Sequence, residues 1–193
     1  MSTGYQGQVA GKAPGSNLRV AYGEAVSFDV DMSPIGGGYT WVNTAGVGPT
    51  AYLLASYGNP SYIAPNTAGA VWEGNKPLDM VVANITDTPG VVATATGITV
   101  RYRRAANTAL ITVSLYQMPK GGGQATTLQS WTQAADFTVF TGAWTTFTDA
   151  FSDALDVENN IYWLYVKLDD GGPGVGDVRL ADVILTIDKI AAE

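Results

Sequence analysis

Apolar and polar side chains alternate with a period of two in one run after another along this chain, the period of strands with one face buried. The first clear run is VSFDVD at residues 26–31, where Val26, Phe28 and Val30 alternate with Ser27, Asp29 and Asp31. It ends at Pro34 and the glycines at 36–38, and YTWV at 39–42 and AYLLASY at 51–57 follow. From Gly58 to Pro77 the chain holds three Pro, three Gly and three Asn, which predicts a loop. A loop of that length is unusual in a compact domain, and a strand around Ala70 to Glu73 would shorten it.

The pattern is stronger in the second half. DMVVANI leads to GITVRYRR, where Ile98, Val100 and Tyr102 face one way and Thr99, Arg101 and Arg103 the other. After a short turn at Ala106 and Asn107 comes ALITVSLY, and the two runs predict a hairpin. PKGGG at 119–123 closes the second run, FTVF and WTTFT predict two short strands around Gly142, and NIYWLYVKL predicts a longer one before DDGGPGVGD. The last run, VRLADVILTID, loses its parity near Ala181 and Asp182, where a bulge would restore the inward face. DAFSDALD at 149–156 is the one segment that suits a helical turn. About eight to ten strands without intervening helices predict an antiparallel β-sandwich of jelly-roll type.

Residues 1–17 are too poor in large apolar groups to offset their ordering entropy, so they predict an extended N-terminal arm, either a tail or a segment that orders against a neighbouring subunit. The sandwich domain is then 18–193, with the strongest strand pattern over 97–190. Of the 193 residues 46% are hydrophobic and only 14% charged, against the roughly 25% charged residues usual in soluble domains. Much of the surface must therefore be neutral, which Thr, Ser, Asn and Gly on strands and turns supply.

A net charge of −7, with ten scattered Lys and Arg, speaks against nucleic-acid binding. The N-terminus lacks the charged start and apolar run of a signal peptide, and no apolar run approaches the roughly 18 residues of a membrane span. Synthesis in a cytoplasm and no membrane association are the expectations.

The chain has no His and no Cys, which removes His-based triads, thiolate nucleophiles, disulfides and the usual transition-metal ligands. What remains for catalysis is a carboxylate pair. Glu73, beside Trp72, is the one carboxyl in a suggestive setting, with Asp79 as its nearest candidate partner. DDGGPGVGD matches no calcium-loop spacing and reads as a turn. The expectation is a non-enzymatic protein without cofactor or metal.

Two groups stand out as candidate interaction residues. Arg101 and Arg103 share a strand face, with Arg104 pointing oppositely or sitting in the turn; they are either a solvated face that discourages edge aggregation or a cationic anchor for an acidic partner. In NIYWLYVKL the rings of Tyr162, Trp163 and Tyr165 alternate, so at least one must face outward, available to a partner or a sugar.

GITVRYRRAANTALITVSLY, VENNIYWLYVKL and VRLADVILTID together resemble β-sandwich modules of tailed-bacteriophage virion proteins, most closely the jelly-roll capsid decoration (cement) proteins. The resemblance covers about half the chain. It implies a virion structural protein, synthesised in the host cytoplasm, that binds the major capsid protein lattice as a homotrimer or homodimer and stabilises the assembled head. The alternative it leaves open is a carbohydrate- or receptor-binding module of a tail fibre or spike.

Overall fold

The computed structural model describes residues 25–31, 42–43, 50–53, 62–65, 69, 71–78, 91–171 and 177–191. Eleven strands run through them, and none of these residues is helical. The strands are β1 (Ala25–Asp31), β2 (Val42–Asn43), β3 (Thr50–Leu53), β4 (Tyr62–Pro65), β5 (Val71–Pro77) and β6 (Val91–Arg104), then β7 (Ala109–Pro119), β8 (Thr126–Thr132), β9 (Trp144–Leu155), β10 (Asn160–Asp170) and β11 (Val178–Ala191).

The pairing is nested. β7 pairs with β8, β6 with β9, β5 with β10 and β4 with β11, all antiparallel. The chain from β4 to β11 is therefore one long hairpin folded at residues 120–125, where Gly122 and Gly123 take positive φ. Two further pairings, β11 with β6 and β10 with β7, roll that hairpin into two sheets. The four-strand orders β4-β11-β6-β9 (sheet A) and β5-β10-β7-β8 (sheet B) define a jelly roll. β3 extends sheet A beyond β4, β1 pairs with β11, and β2 extends sheet B beyond β5. The expected all-β antiparallel sandwich is the fold.

The four strands central to the two sheets carry the core. Ile98, Val100 and Tyr102 of β6 and Val183, Leu185 and Ile187 of β11 face Ile111, Val113 and Leu115 of β7 and Leu164, Val166 and Leu168 of β10, all buried in one cluster. Each such aliphatic side chain contributes about 1.5–3 kcal/mol by leaving water. The parity read for GITVRYRR is the observed one. So is the slip in the last strand: the β11–β6 register shifts between Leu180 and Asp182, leaving Leu180 and Val183 both inward across Ala181.

Four expectations differ from the structure. GITVRYRR and ALITVSLY do not form a hairpin, because β6 lies in sheet A and β7 in sheet B. Residues 105–108 turn a corner between the sheets, and the backbone there bonds to other elements: Ala105 N–H donates to the Asp177 carbonyl at 2.7 Å and Gly142 N–H to the Arg104 carbonyl at 2.8 Å. DAFSDALD is strand up to Leu155, within β9, with Phe147, Phe151 and Leu155 packed against or within the core. Apolar residues four apart share a face in a strand as well as in a helix, so that spacing does not discriminate. The predicted loop at 58–77 contains β5, the strand allowed around Ala70 to Glu73, and also β4, which was not expected; their final residues are Pro77 and Pro65, positions at which a strand tolerates a missing N–H. FTVF is not a strand; its Phe137 plugs the core edge-on to Tyr102 and Phe147, at 5.1 Å from each ring. The run it displaces, TTLQSWT, is β8.

Residues 1–17, most of AYLLASY and YTWV, and DMVVANI lie outside the described residues.

Candidate binding face

β10 alternates without a break, so Tyr162, Leu164, Val166 and Leu168 enter the core while Ile161, Trp163, Tyr165 and Lys167 stand on the outer face of sheet B. Register then decides what meets them. Trp163 lies directly across from Tyr116 of β7, and their rings stack at 5.5 Å between centroids with 13° between planes. Tyr165, two residues on, meets Tyr116 nearly edge-on at 6.1 Å and 82°. Three rings on two central strands thus form one aromatic platform, each pair contributing about 0.5–1.5 kcal/mol beyond burial.

Polar groups border this platform. On its β5 side Asn75 is paired across from Tyr165 and Glu73 across from Lys167, with the Lys167 ammonium 3.6 Å from the Glu73 carboxylate. On its β7 and β8 side the Ser114 and Ser130 hydroxyls bond each other at 2.9 Å. The Tyr165 phenol is pushed up to about 12, first by burial and then by the Glu73 charge and its hydrogen bond with that carboxylate. It therefore stays protonated through the physiological range.

The six predicted interaction residues do not share one surface. Trp163 and Tyr165 belong to the platform on sheet B. Tyr162 faces the core, where burial raises its phenol pKa. Arg101 and Arg103 stand on the outer face of sheet A, on the other side of the sandwich. Arg104 is 2% exposed, and its guanidinium donates to the carbonyls of Ala109 (2.7 Å), Asn107 (3.0 Å) and Phe137. It clamps the corner between β6 and β7 to the β8–β9 connection from within.

Glu73 belongs to the platform, but without the desolvating neighbour its sequence setting implied. Trp72 points to the opposite side of β5 and is buried in the core, and Asp79 lies outside the described residues. Across DDGGPGVGD, whose residues 172–176 lie outside the described residues, the Asp170 carboxylate accepts from the Asp177 N–H at 2.9 Å. Among the described residues there is no cluster of three or more potential metal-binding side chains and no helix long and apolar enough to cross a membrane.

Tyr116 was not singled out by the sequence. Its parity in ALITVSLY is legible, but its place beside Trp163 depends on the β7–β10 register, which no local pattern encodes.

No family model matches the chain, and no curated protein matches it. Among solved structures it is similar to a family 11 carbohydrate-binding module from Clostridium thermocellum, in complex with a β-1,3-1,4-mixed-linked tetrasaccharide, at 13% identity and a TM-score of 0.40 over 90% of this chain and 98% of that one. It is similar to the CBM22-1 xylan-binding domain of Paenibacillus barcinonensis Xyn10C, at 13% identity and a TM-score of 0.38 over 89% and 97%. The VP2 subviral particle protein of infectious bursal disease virus is similar at 12% identity and a TM-score of 0.41, over 97% of this chain and 38% of that one. Likenesses this distant carry no weight for what the chain binds or builds, and its fold class follows from its own strand order.

Proposed function

We propose that this chain is a non-catalytic jelly-roll binding module whose outer face of sheet B takes a carbohydrate chain. The observation that carries the reading is the Tyr116–Trp163 stack with Tyr165 set against it. Ring faces bear the negative side of an aromatic quadrupole, which attracts the polarised C–H groups of a pyranose face, and the platform rises from the two central strands of a rigid sheet. Asn75, Lys167, Glu73 and Ser130 border the rings with the donors and acceptors that hydroxyl groups require. Affinity electrophoresis in gels containing neutral β-glucans, xylan or mannan tests this reading. Retardation by at least one polymer is expected, and unretarded migration in all of them would sink it.

A second reading, a virion component that coats an assembled phage head, is favoured by a different observation. Val139 and Phe140, 40% and 47% exposed on the β8–β9 connection, are the large apolar side chains most open to solvent among the described residues. An apolar pair on a connection at one end of the sandwich suits docking between protein subunits. Under this reading a Val139→Ser/Phe140→Ser variant stops co-sedimenting with assembled shells. Under the carbohydrate reading the same variant retains its polysaccharide binding. A tail-fibre or spike module would join the virion location to the carbohydrate face.

A further inference from the structure

Register sorts the outer face of sheet B into rows that run across its strands. The middle row is Pro77 of β5, Trp163 of β10, Tyr116 of β7 and Thr127 of β8. Two residues along on one side lie Asn75, Tyr165, Ser114 and Ser130, a row of one amide and three hydroxyls. Two residues along on the other side, near the end of the β7–β10 ladder, Ile161 is paired across from Met118. Both keep the parity of the rings next to them and are half-buried, so their side chains stand on the outer face as well.

The aromatic platform therefore has two unlike flanks. One is polar, with the Ser114 and Ser130 hydroxyls bonded to each other and the Tyr165 hydroxyl bonded to the Glu73 carboxylate. The other is apolar, where Ile161 and Met118 continue the surface of the rings. Neighbouring rows are about 7 Å apart, two residues of strand rise. That is the reach of an exocyclic substituent from the centre of a pyranose ring plus one contact, so a sugar stacked on the middle row meets both flanks at once.

A pyranose shares this asymmetry when one of its rims lacks a hydroxyl. Ring hydroxyls that face the row from Asn75 to Ser130 find donors and acceptors there. The hydroxyl of a hydroxymethyl group over Ile161 and Met118 instead loses water without gaining a partner, whereas a methyl group in its place is better off out of water. We propose that the sugar unit seated on Trp163 and Tyr116 is a 6-deoxyhexose, its methyl group against Ile161 and Met118 and its ring hydroxyls against Asn75, Tyr165 and Ser130. This inference rests on the carbohydrate reading of sheet B and adds the class of sugar to it. An apolar surface discriminates only modestly against an added hydroxyl, so neutral polymers without deoxy sugars are still held, more weakly.

The test is surface plasmon resonance on the immobilised full chain with polyacrylamide conjugates of sugar pairs that differ in one oxygen: 6-deoxyglucose against glucose, D-fucose against D-galactose, and L-rhamnose against L-mannose. Neutral β-glucan, xylan and mannan are run beside them. The deoxy member of at least one pair is expected to bind at least threefold more tightly, a preference lost in Ile161→Thr/Met118→Thr and kept in Ile161→Val/Met118→Leu. The readout is a ratio of two ligands on one protein preparation, so partial unfolding of a variant does not move it. Equal binding of both members in every pair, a preference for the hydroxylated members, or a deoxy preference that the Thr pair leaves intact overturns the inference while the carbohydrate reading stands. Binding to a neutral polymer but to none of the conjugates does the same. No binding to conjugates or polymers overturns both.

Discussion

Trp163 and Tyr116 sit on neighbouring strands of sheet B with their rings 5.5 Å apart and 13° from parallel, stacked on a face that looks away from the core. Replacing Trp163 by Ala should therefore lower the folding stability by only about 1 kcal/mol, the scale of a surface aromatic pair, while removing most of the platform. Urea denaturation followed by circular dichroism checks this, and a loss of several kcal/mol would show that Trp163 serves the fold rather than a ligand.

The clamp formed by Arg104 makes the opposite prediction. Arg104→Met removes three hydrogen bonds and leaves the carbonyls of Ala109, Asn107 and Phe137 without that donor, so a loss of about 3 kcal/mol is expected. Arg101→Met, on the exposed face, should change stability by less than about 1 kcal/mol. Equal effects in the two variants would contradict the placement of Arg104.

At Gly171 a Cβ would lie 2.6 Å from the Thr108 carbonyl oxygen, a backbone atom that cannot swing aside. Gly171→Ala should cost about 1–3 kcal/mol by overpacking. Gly121→Ala, where a Cβ meets nothing within 4 Å, serves as the control and should be near neutral.

The phenol of Tyr165 predicts an alkaline limit. Its folded pKa, raised to about 12, lies above the ordinary value of 10.0, so the folded state holds this proton more tightly than the unfolded chain does. The stability linked to this group is fully present below pH 10 and is lost as pH rises towards 12. Tyr102 and Tyr162 are raised as well, in each case chiefly by burial. Absorbance at 295 nm during an alkaline titration should show a late tyrosinate fraction that ionises together with unfolding. Ionisation of every tyrosine near pH 10 with the fold intact would contradict it.

Alternation along single strands made much of this legible beforehand. Ile98, Val100 and Tyr102, the need for at least one outward ring among Tyr162, Trp163 and Tyr165, and the bulge near Ala181 all follow from which side of a strand each residue takes. Strand partners were not legible. The turn at residues 105–108 carries the same local signals whether it closes a hairpin or turns a corner between sheets, and the difference lies in long-range pairing with β9 and β11. For the same reason the sequence groups Arg104 with Arg101 and Arg103 and carries no sign that Tyr116 meets Trp163. On β9 the inward carboxylates obscured the strand: Asp149 and Asp153 face the sandwich interior and accept from Trp131 Nε1 at 2.8 Å and Gln129 Nε2 at 2.9 Å. Charges that point inward on an edge strand also discourage edge-to-edge pairing, a role that local hydrophobicity does not reveal.

The most direct test of the carbohydrate face is a glycan array probed with the parent chain and with Tyr116→Ala/Trp163→Ala, each confirmed as folded by its thermal transition. The account predicts a defined set of glycans bound by the parent and at least a tenfold loss, about 1.4 kcal/mol, in the double variant. Glycan signals of equal strength for both proteins, or none for the parent, would contradict it.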